Sequence, residues 1–220
     1  QQYSNEAEIM RRQFGWTDNN DAFILGDKEI SAKAVRYSPP SEITERLCEY
    51  LKPTGSLDVW KEVVSVYDMP KFEPHAFGFF GAPIIKHLGY NGAMINLINS
   101  SSGTGKSTVL KMCNSVYGHP DKLLAQETDT FAHKMNRLGI MNNLPYTIDE
   151  ITNMPPDRVS TLLYGVSQGI GPGRMQSQNN MERRNDTSWA LIALASSNAS
   201  MAEKLSMMKS FADGEIMRLL

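Results

Sequence analysis

The chain has 220 residues, 41% of them hydrophobic and 21% charged, so it can bury a sizeable core. A formal net charge of −2 excludes a globally basic nucleic-acid binder and leaves any cationic surface to local clusters. Two cysteines, Cys48 and Cys113, are too few for a disulfide framework and suit a reducing compartment, and every apolar run is far shorter than the ~18 residues of a membrane span.

The first residues, QQYSNEAEIMRRQFGW, have no signal-peptide layout and no initiator Met. Residues 1–54 read as a small α+β attachment. In it, AFILGDKEIS predicts a hairpin turning at Gly26-Asp27, VRYSPP a loop, and SEITERLCEYLKP a helix capped by Ser41, with Pro53 beyond its end. Residues 55–220 read as the main domain, which opens on a helix bearing Leu57, Trp60, Val63, Val64 and Tyr67 at helical spacing. PHAFGFFGAPIIKHLG is a second helical segment, kinked or split at Gly81-Ala82-Pro83. From residue 93 strands and helices alternate. The strands are AMINLIN, a weak LLAQE, LPYTIDE, TSWALIALASS and the beginning of another in GEIMRLL. The helices are GKSTVLKMCNSVYG closed by Gly118, DTFAHKMNRLGIM capped by Asp129, PPDRVSTLLYGVSQG and ASMAEKLSMMKSF. Because the last residues stop within a predicted strand, the chain is expected to be cut from a longer protein at its C-terminal side. One polar, Gly-rich loop, GIGPGRMQSQNNMERRND, has the length that carries function or disorder.

The stretch INLINSSSGTGKSTVLKMC, residues 95–113, joins a strand to a helix through small residues. Such a bend turns its main-chain N–H groups inward, and small side chains let an anion approach them at the positive end of the helix. Ser102, Gly103, Thr104, Gly105, Lys106, Ser107 and Thr108 are therefore the candidate triphosphate cradle, with Lys106 reaching the outer phosphates and the Ser107 hydroxyl reaching Mg²⁺. This is the P-loop, or Walker A, pattern with one departure: Ser100 stands where the pattern has Gly. A plain Gly/Ser turn with an exposed Lys is the competing reading.

A triphosphatase also needs carboxylates. LPYTIDE ends in Asp149 and Glu150, at the end of a strand where ligand crevices open. Asp149 is the candidate Mg²⁺ partner and Glu150 the candidate base toward the attacking water. Glu127, after LLAQ, is a rival base. Asn198 follows the strand LIALASS and could hold the water or the γ-phosphate, although taken alone an ordinary turn or N-cap Asn is the better reading.

These runs, together with GSLDVWKEVVSVY, TDTFAHKMNRLGIMNNLPYTIDEI, LLYGVSQGIGPGRMQ and SWALIALASSN, resemble a phage and mobile-element ATPase family. It is catalogued as "superfamily II helicase and inactivated derivatives", a domain of unknown function tied to replicative primase–helicase proteins, and the likeness covers residues 55–220. Ser107-Thr108 stands where the family has Thr-Thr, and Tyr117 where it has Trp.

The resemblance implies a P-loop ASCE fold, AAA+ or RecA-like, with a parallel sheet flanked by helices. It implies an ATP- and Mg²⁺-dependent motor that moves on single-stranded DNA as a homo-oligomeric ring, such as a hexamer, in the cytoplasm of a bacterial host. A primase or polymerase domain or other replisome proteins would be its partners. Arg218, after GE, becomes a candidate finger on a neighbour's ATP, of a kind worth on the order of 10³ to 10⁵ in rate. Arg158 is a weaker one, better read as a helix-surface charge. In ring motors DNA meets the loop before the sensor strand, so Arg174, Arg183 and Arg184 are candidate phosphate contacts, against the reading of a solvated loop of mixed charge. Lys122, Lys134, Lys204 and Lys209 read as solvated helix faces. A small-molecule kinase and a non-hydrolysing nucleotide-binding scaffold are the alternatives to the motor. The pair Asp149-Glu150 with Asn198 favours water over an acceptor substrate.

Overall fold

The computed structural model describes residues 10–66, 81–171, 174–175, 182–183, 187–207, 213–216 and 219. Strands β1 (Gly15–Trp16), β2 (Ala22–Leu25), β3 (Lys28–Ser31) and β4 (Val35–Tyr37) form an antiparallel sheet in that order. Leu25 pairs with Lys28, so Gly26 and Asp27 are the two-residue turn read from the sequence. Helix α1 (Glu45–Tyr50) begins one turn later than Ser41. The Ser41 carbonyl accepts the N–H groups of Thr44 and Glu45, closing a separate turn, and Thr44 is the residue that caps the helix.

Helix α2 (Leu57–Ser65) buries none of its residues. Residues 81–85 are helical and run into a 3₁₀ turn at Lys86–Leu88, whereas the part of the expected kinked helix before residue 81 lies outside the described residues. The central sheet is parallel: β5 (Gly92–Ile98) and β6 (Tyr146–Ile148) flank β9 (Leu191–Ser197). Single parallel bridges continue it at both edges, Met94 with Leu219 beside β5 and Ala125 with Ile148 beside β6. The weak strand LLAQE is thus one bridge wide. In the expected C-terminal strand GEIMRLL, residues up to Ile216 belong instead to a helical turn, Asp213–Ile216, and Leu219 bridges to the sheet, while residues 217, 218 and 220 lie outside the described residues.

β9 is buried along its whole length because helices cover both sheet faces. Its residues alternate between two clusters. Leu191, Ala193 and Ala195 join Met94, Leu138, Tyr146, Ile148 and Leu162, while Ile192 and Leu194 join Ile95, Leu97, Leu110 and Cys113. The helices are α3 (Lys106–Ser115), α4 (Pro120–Leu123), α5 (Phe131–Met141), α6 (Pro156–Gln168), α7 (Met201–Ser206) and α8 (Asp213–Ile216). Thr130, not Asp129, caps α5, since its Oγ1 accepts the His133 N–H, while the Asp129 carboxylate accepts the Gln126 N–H.

Two lysines expected in solvent are not there. Lys134 is 2% exposed, and its ammonium donates to the carbonyls of Gln126, Glu127 and Asp129. Burial pulls its pKa below the ordinary lysine range. Lys204 is half-buried and donates to the Thr152 carbonyl. Lys122 does face outward, over the Tyr50 ring, and Lys209 lies outside the described residues.

The N-terminal residues share the main core. Phe14, Ile24, Leu47, Cys48 and Leu51 belong to the same cluster as Met94 and Leu138. The Phe14 N–H donates to Ile140 O at 2.9 Å, and the Asn142 amide donates to Phe14 O at 2.7 Å. At Gly118 a Cβ would lie 2.2 Å from the Tyr50 carbonyl oxygen, so only glycine lets the end of α1 pass this close to the residues after α3.

Candidate functional site

The loop from β5 to α3 bends through two left-handed glycines, Gly103 at φ 72° and Gly105 at φ 90°. A Cβ at either would meet nothing within 4 Å, so glycine is required there by backbone conformation and not by space. Ser100, the departure from the motif, is not among the residues with positive φ, so its side chain carries no backbone strain.

Lys106, the first residue of α3, turns its ammonium back over the loop. All three donors are used: Nζ lies 2.7 Å from Asn99 O, 3.2 Å from Ser101 O and 2.8 Å from Asn198 Oδ1. The Asn198 amide in turn donates to Glu150 Oε2 at 3.0 Å. A lysine from β5–α3, an amide after β9 and a carboxylate after β6 therefore form one hydrogen-bonded chain.

A second chain fixes the acids. Ser107 Oγ donates to Asp149 Oδ1 at 2.9 Å, and Ser196 Oγ donates to the same oxygen at 2.7 Å. The Ser196 hydroxyl also accepts the Glu150 N–H at 2.8 Å. Glu150 itself is left-handed, at φ 52°. For a residue with a Cβ this conformation costs about 1–2 kcal/mol. Local bonds hold it: Ile151 N–H to Ser196 O, Thr152 N–H to Glu150 Oε1, and Asn198 N–H to Thr152 Oγ1.

These groups border a cavity of about 330 Å³ lined by residues 102–108, Glu150, Ser196 and Asn198. It lies at the C-terminal ends of β5, β6 and β9, where parallel sheets present ligand crevices. Main-chain donors, an ammonium and a carboxylate facing one space can receive a polyanion and take a proton beside it. Ser107 Oγ and Asp149 offer hard oxygen donors, which suit a Mg²⁺ ion that keeps waters and substrate phosphates in its shell. Among the described residues there is no group of three or more His, Cys, Asp and Glu of the kind a zinc site needs.

The other sequence candidates stand elsewhere. Glu127 is exposed, and its carboxylate accepts from Asn153 Nδ2 at 3.0 Å, away from the cavity lining. The Arg158 guanidinium lies over the Phe131 ring, 5.0 Å from its centre, as a helix-surface charge. Arg174 and Arg183 pair across β7 (Arg174–Met175) and β8 (Glu182–Arg183), so the Gly-rich loop contains an antiparallel ladder that its composition did not predict. Arg184 and Arg218, and the side chains of Arg174 and Arg183, lie outside the described residues. Sequence reasoning missed Ser196 and Thr152. The only signal was the pair of hydroxyls closing β9 in LASSN.

A family model described as "Domain of unknown function (DUF927)" matches residues 1–187. No curated protein matches the chain. A solved structure described as "SCCmec type IV Cch - active helicase" is similar in fold, with a TM-score of 0.61 at 18% identity over 96% of this chain and 40% of that one. The chain thus spans about 40% of that helicase's length. NtrX from Brucella abortus, solved with ADP, aligns at a TM-score of 0.35 and 14% identity over 73% of this chain and 37% of that one, too distant to bear on the fold.

Proposed function

This chain belongs to the DUF927 family, and from that premise we propose that it is the ATP-hydrolysing core of a phage or mobile-element replicative helicase. The carrying observation is the meeting of a glycine-freed loop, the Lys106 ammonium and the Glu150 carboxylate in one cavity at the ends of parallel strands. The edge bridges give the order Leu219, β5, β9, β6, Ala125. That order sets Asn198 between the phosphate loop and the acids, which supports a P-loop NTPase of the ASCE type. Likeness to a protein described as an active helicase supports the motor reading.

Phosphate oxygens entering the loop replace Asn99 O, Ser101 O and Asn198 Oδ1 as acceptors for Lys106. Asn198 Oδ1, given up by Lys106, is then free to accept from a water, while its amide still holds Glu150. Glu150 takes a proton from that water as the water oxygen bonds to the γ-phosphorus and the bridging P–O bond breaks, leaving ADP and phosphate. Ser107 and Asp149 would hold a Mg²⁺ ion, which would supply positive charge against the phosphates. In the full motor proposed, protomers form a homo-oligomeric ring, Arg218 reaches a neighbour's ATP, and Arg174, Arg183 and Arg184 contact single-stranded DNA. Among the described residues no helix is long and apolar enough to cross a membrane.

The test is ATP turnover with and without single-stranded DNA, run beside a mass measurement of the assembly. Turnover should rise with DNA and vanish in Lys106→Ala, and Glu150→Gln should retain bound ATP. An oligomer that binds ATP and never turns it over with DNA present would refute the motor and leave a nucleotide-binding scaffold.

A further inference from the structure

A second cavity, of about 270 Å³, lies between α2 and α3. Trp60, Val63 and Val64 line it from α2, and Thr108 and Met112 from α3. Thr108 also lines the phosphate-loop cavity, so the two are adjoining parts of one surface. Thr108, Met112 and Ser115 fall on one face of α3 and carry the cleft away from the loop along the helix, by about 10 Å at 1.5 Å per residue. That is the direction and scale on which a nucleoside extends from its phosphates.

Resting on the function proposed above, we propose that this cleft holds the nucleobase and ribose of the bound triphosphate and reads the base by its flat face, so that purine triphosphates are accepted with little discrimination. Carbon dominates the described lining, and the polar groups of Trp60, Ser115 and Lys111 already have partners. Trp60 Nε1 donates to Ser115 Oγ at 2.8 Å, and Ser115 Oγ donates to Met112 O at 2.6 Å. Lys111, also on the lining, is held 2.7 Å from Asp121. Val63 is 53% exposed, and no residue of α2 is buried, so α2 has apolar surface left for a base to cover. The Trp60–Ser115 bond keeps the indole in place without using its face. An apolar pocket separates polar isosteres by about 10²-fold or less, whereas one that hydrogen-bonds a base edge reaches about 10⁴ to 10⁵.

Calorimetric titration of the Mg²⁺-supplemented chain with ATP, GTP and inorganic tripolyphosphate tests this. ATP and GTP should bind more tightly than tripolyphosphate and within about tenfold of each other. Trp60→Ala should weaken both nucleotides at least tenfold while leaving tripolyphosphate unchanged. Val63→Gln, at an exposed position, should act in the same direction and keeps the test decisive if Trp60→Ala does not fold. Equal affinity for ATP and tripolyphosphate, unchanged nucleotide affinity in the variants, or an ATP preference above about 10³-fold would each overturn the cleft assignment while the phosphate-loop reading stands. Failure of both ATP and tripolyphosphate to bind would overturn the two readings together.

Discussion

Replacing Ser196, a residue 1% exposed, by Ala removes one oxygen that serves both acids. The hydroxyl donates to Asp149 Oδ1 at 2.7 Å and accepts the Glu150 N–H at 2.8 Å. Losing a hydrogen bond to a charged group costs about 1.5–3 kcal/mol, and a buried N–H left without an acceptor costs about 1–3 kcal/mol more. Because Asp149 keeps its bond from Ser107 and Glu150 is only half-buried, the lower half of each range applies, and the variant should lose about 2.5–4 kcal/mol of stability. Glu150 also loses a restraint on its left-handed backbone, so its carboxylate should wander from the bond with Asn198 Nδ2. In the ATPase proposed above, kcat should then fall by about 10- to 100-fold with KM changed little, since a group that only positions a proposed base acts on the transition state. Urea midpoints and steady-state rates measured on the same preparations separate the two effects. Ser196→Thr, which keeps the hydroxyl, should recover most of the rate. A variant that is destabilised yet turns over at the parental kcat would show that Ser196 supports the fold alone.

Gly105→Ala should cost about 1–2 kcal/mol through its φ of 90°, with no steric component because a Cβ there meets nothing within 4 Å; a chemical-denaturation midpoint equal to the parent's would refute this. Lys134→Met leaves the carbonyls of Gln126, Glu127 and Asp129 without their donor and should cost about 2–4 kcal/mol, whereas a neutral or stabilising result in the same assay would mean the ammonium's own desolvation outweighs its three bonds. Burial pushes the Cys48 thiol from 9.0 up to about 11. The native state therefore keeps this proton after the unfolded chain has lost it, so the contribution is intact below pH 9 and is lost as pH climbs toward 11. Cys48→Val should flatten the fall in urea midpoint across that window, and identical slopes in the two proteins would refute the assignment.

What the sequence disclosed is what local pattern encodes. The loop from β5 to α3 was legible because glycines beside a lysine interrupt two apolar runs, and β9 because a strand buried on both faces reads as continuous apolar residues. Asp149 and Glu150 were legible from their place at a strand end. The bonds that tie them to Ser196, Lys106 and Asn198 join residues far apart in sequence, and no periodicity reports such pairs. The left-handed turn at Glu150 was equally hidden, since Glu is not a residue that favours it. Lys134 is a different case. It shares the stripe Phe131, Lys134, Met135 and Leu138, and a lysine on an apolar stripe is a readable sign of burial. The cap at Thr130 was missed by one position because Asp129 is as good a capping type, and only the extended backbone at Thr130 decides between them.

The contact at Gly118 has a mechanical consequence. The peptide of Tyr50 sits against Gly118 and takes the N–H of His119 at 2.7 Å, just past the far end of the helix whose first residue is Lys106. Phe14, Leu47 and Leu51 pack into the same interior as the central strands, so the residues around α1 are tied both to that interior and to the end of that helix. A shift at the end of α1 should therefore press on the end of that helix, and a shortened version beginning at residue 55 should expose this shared interior.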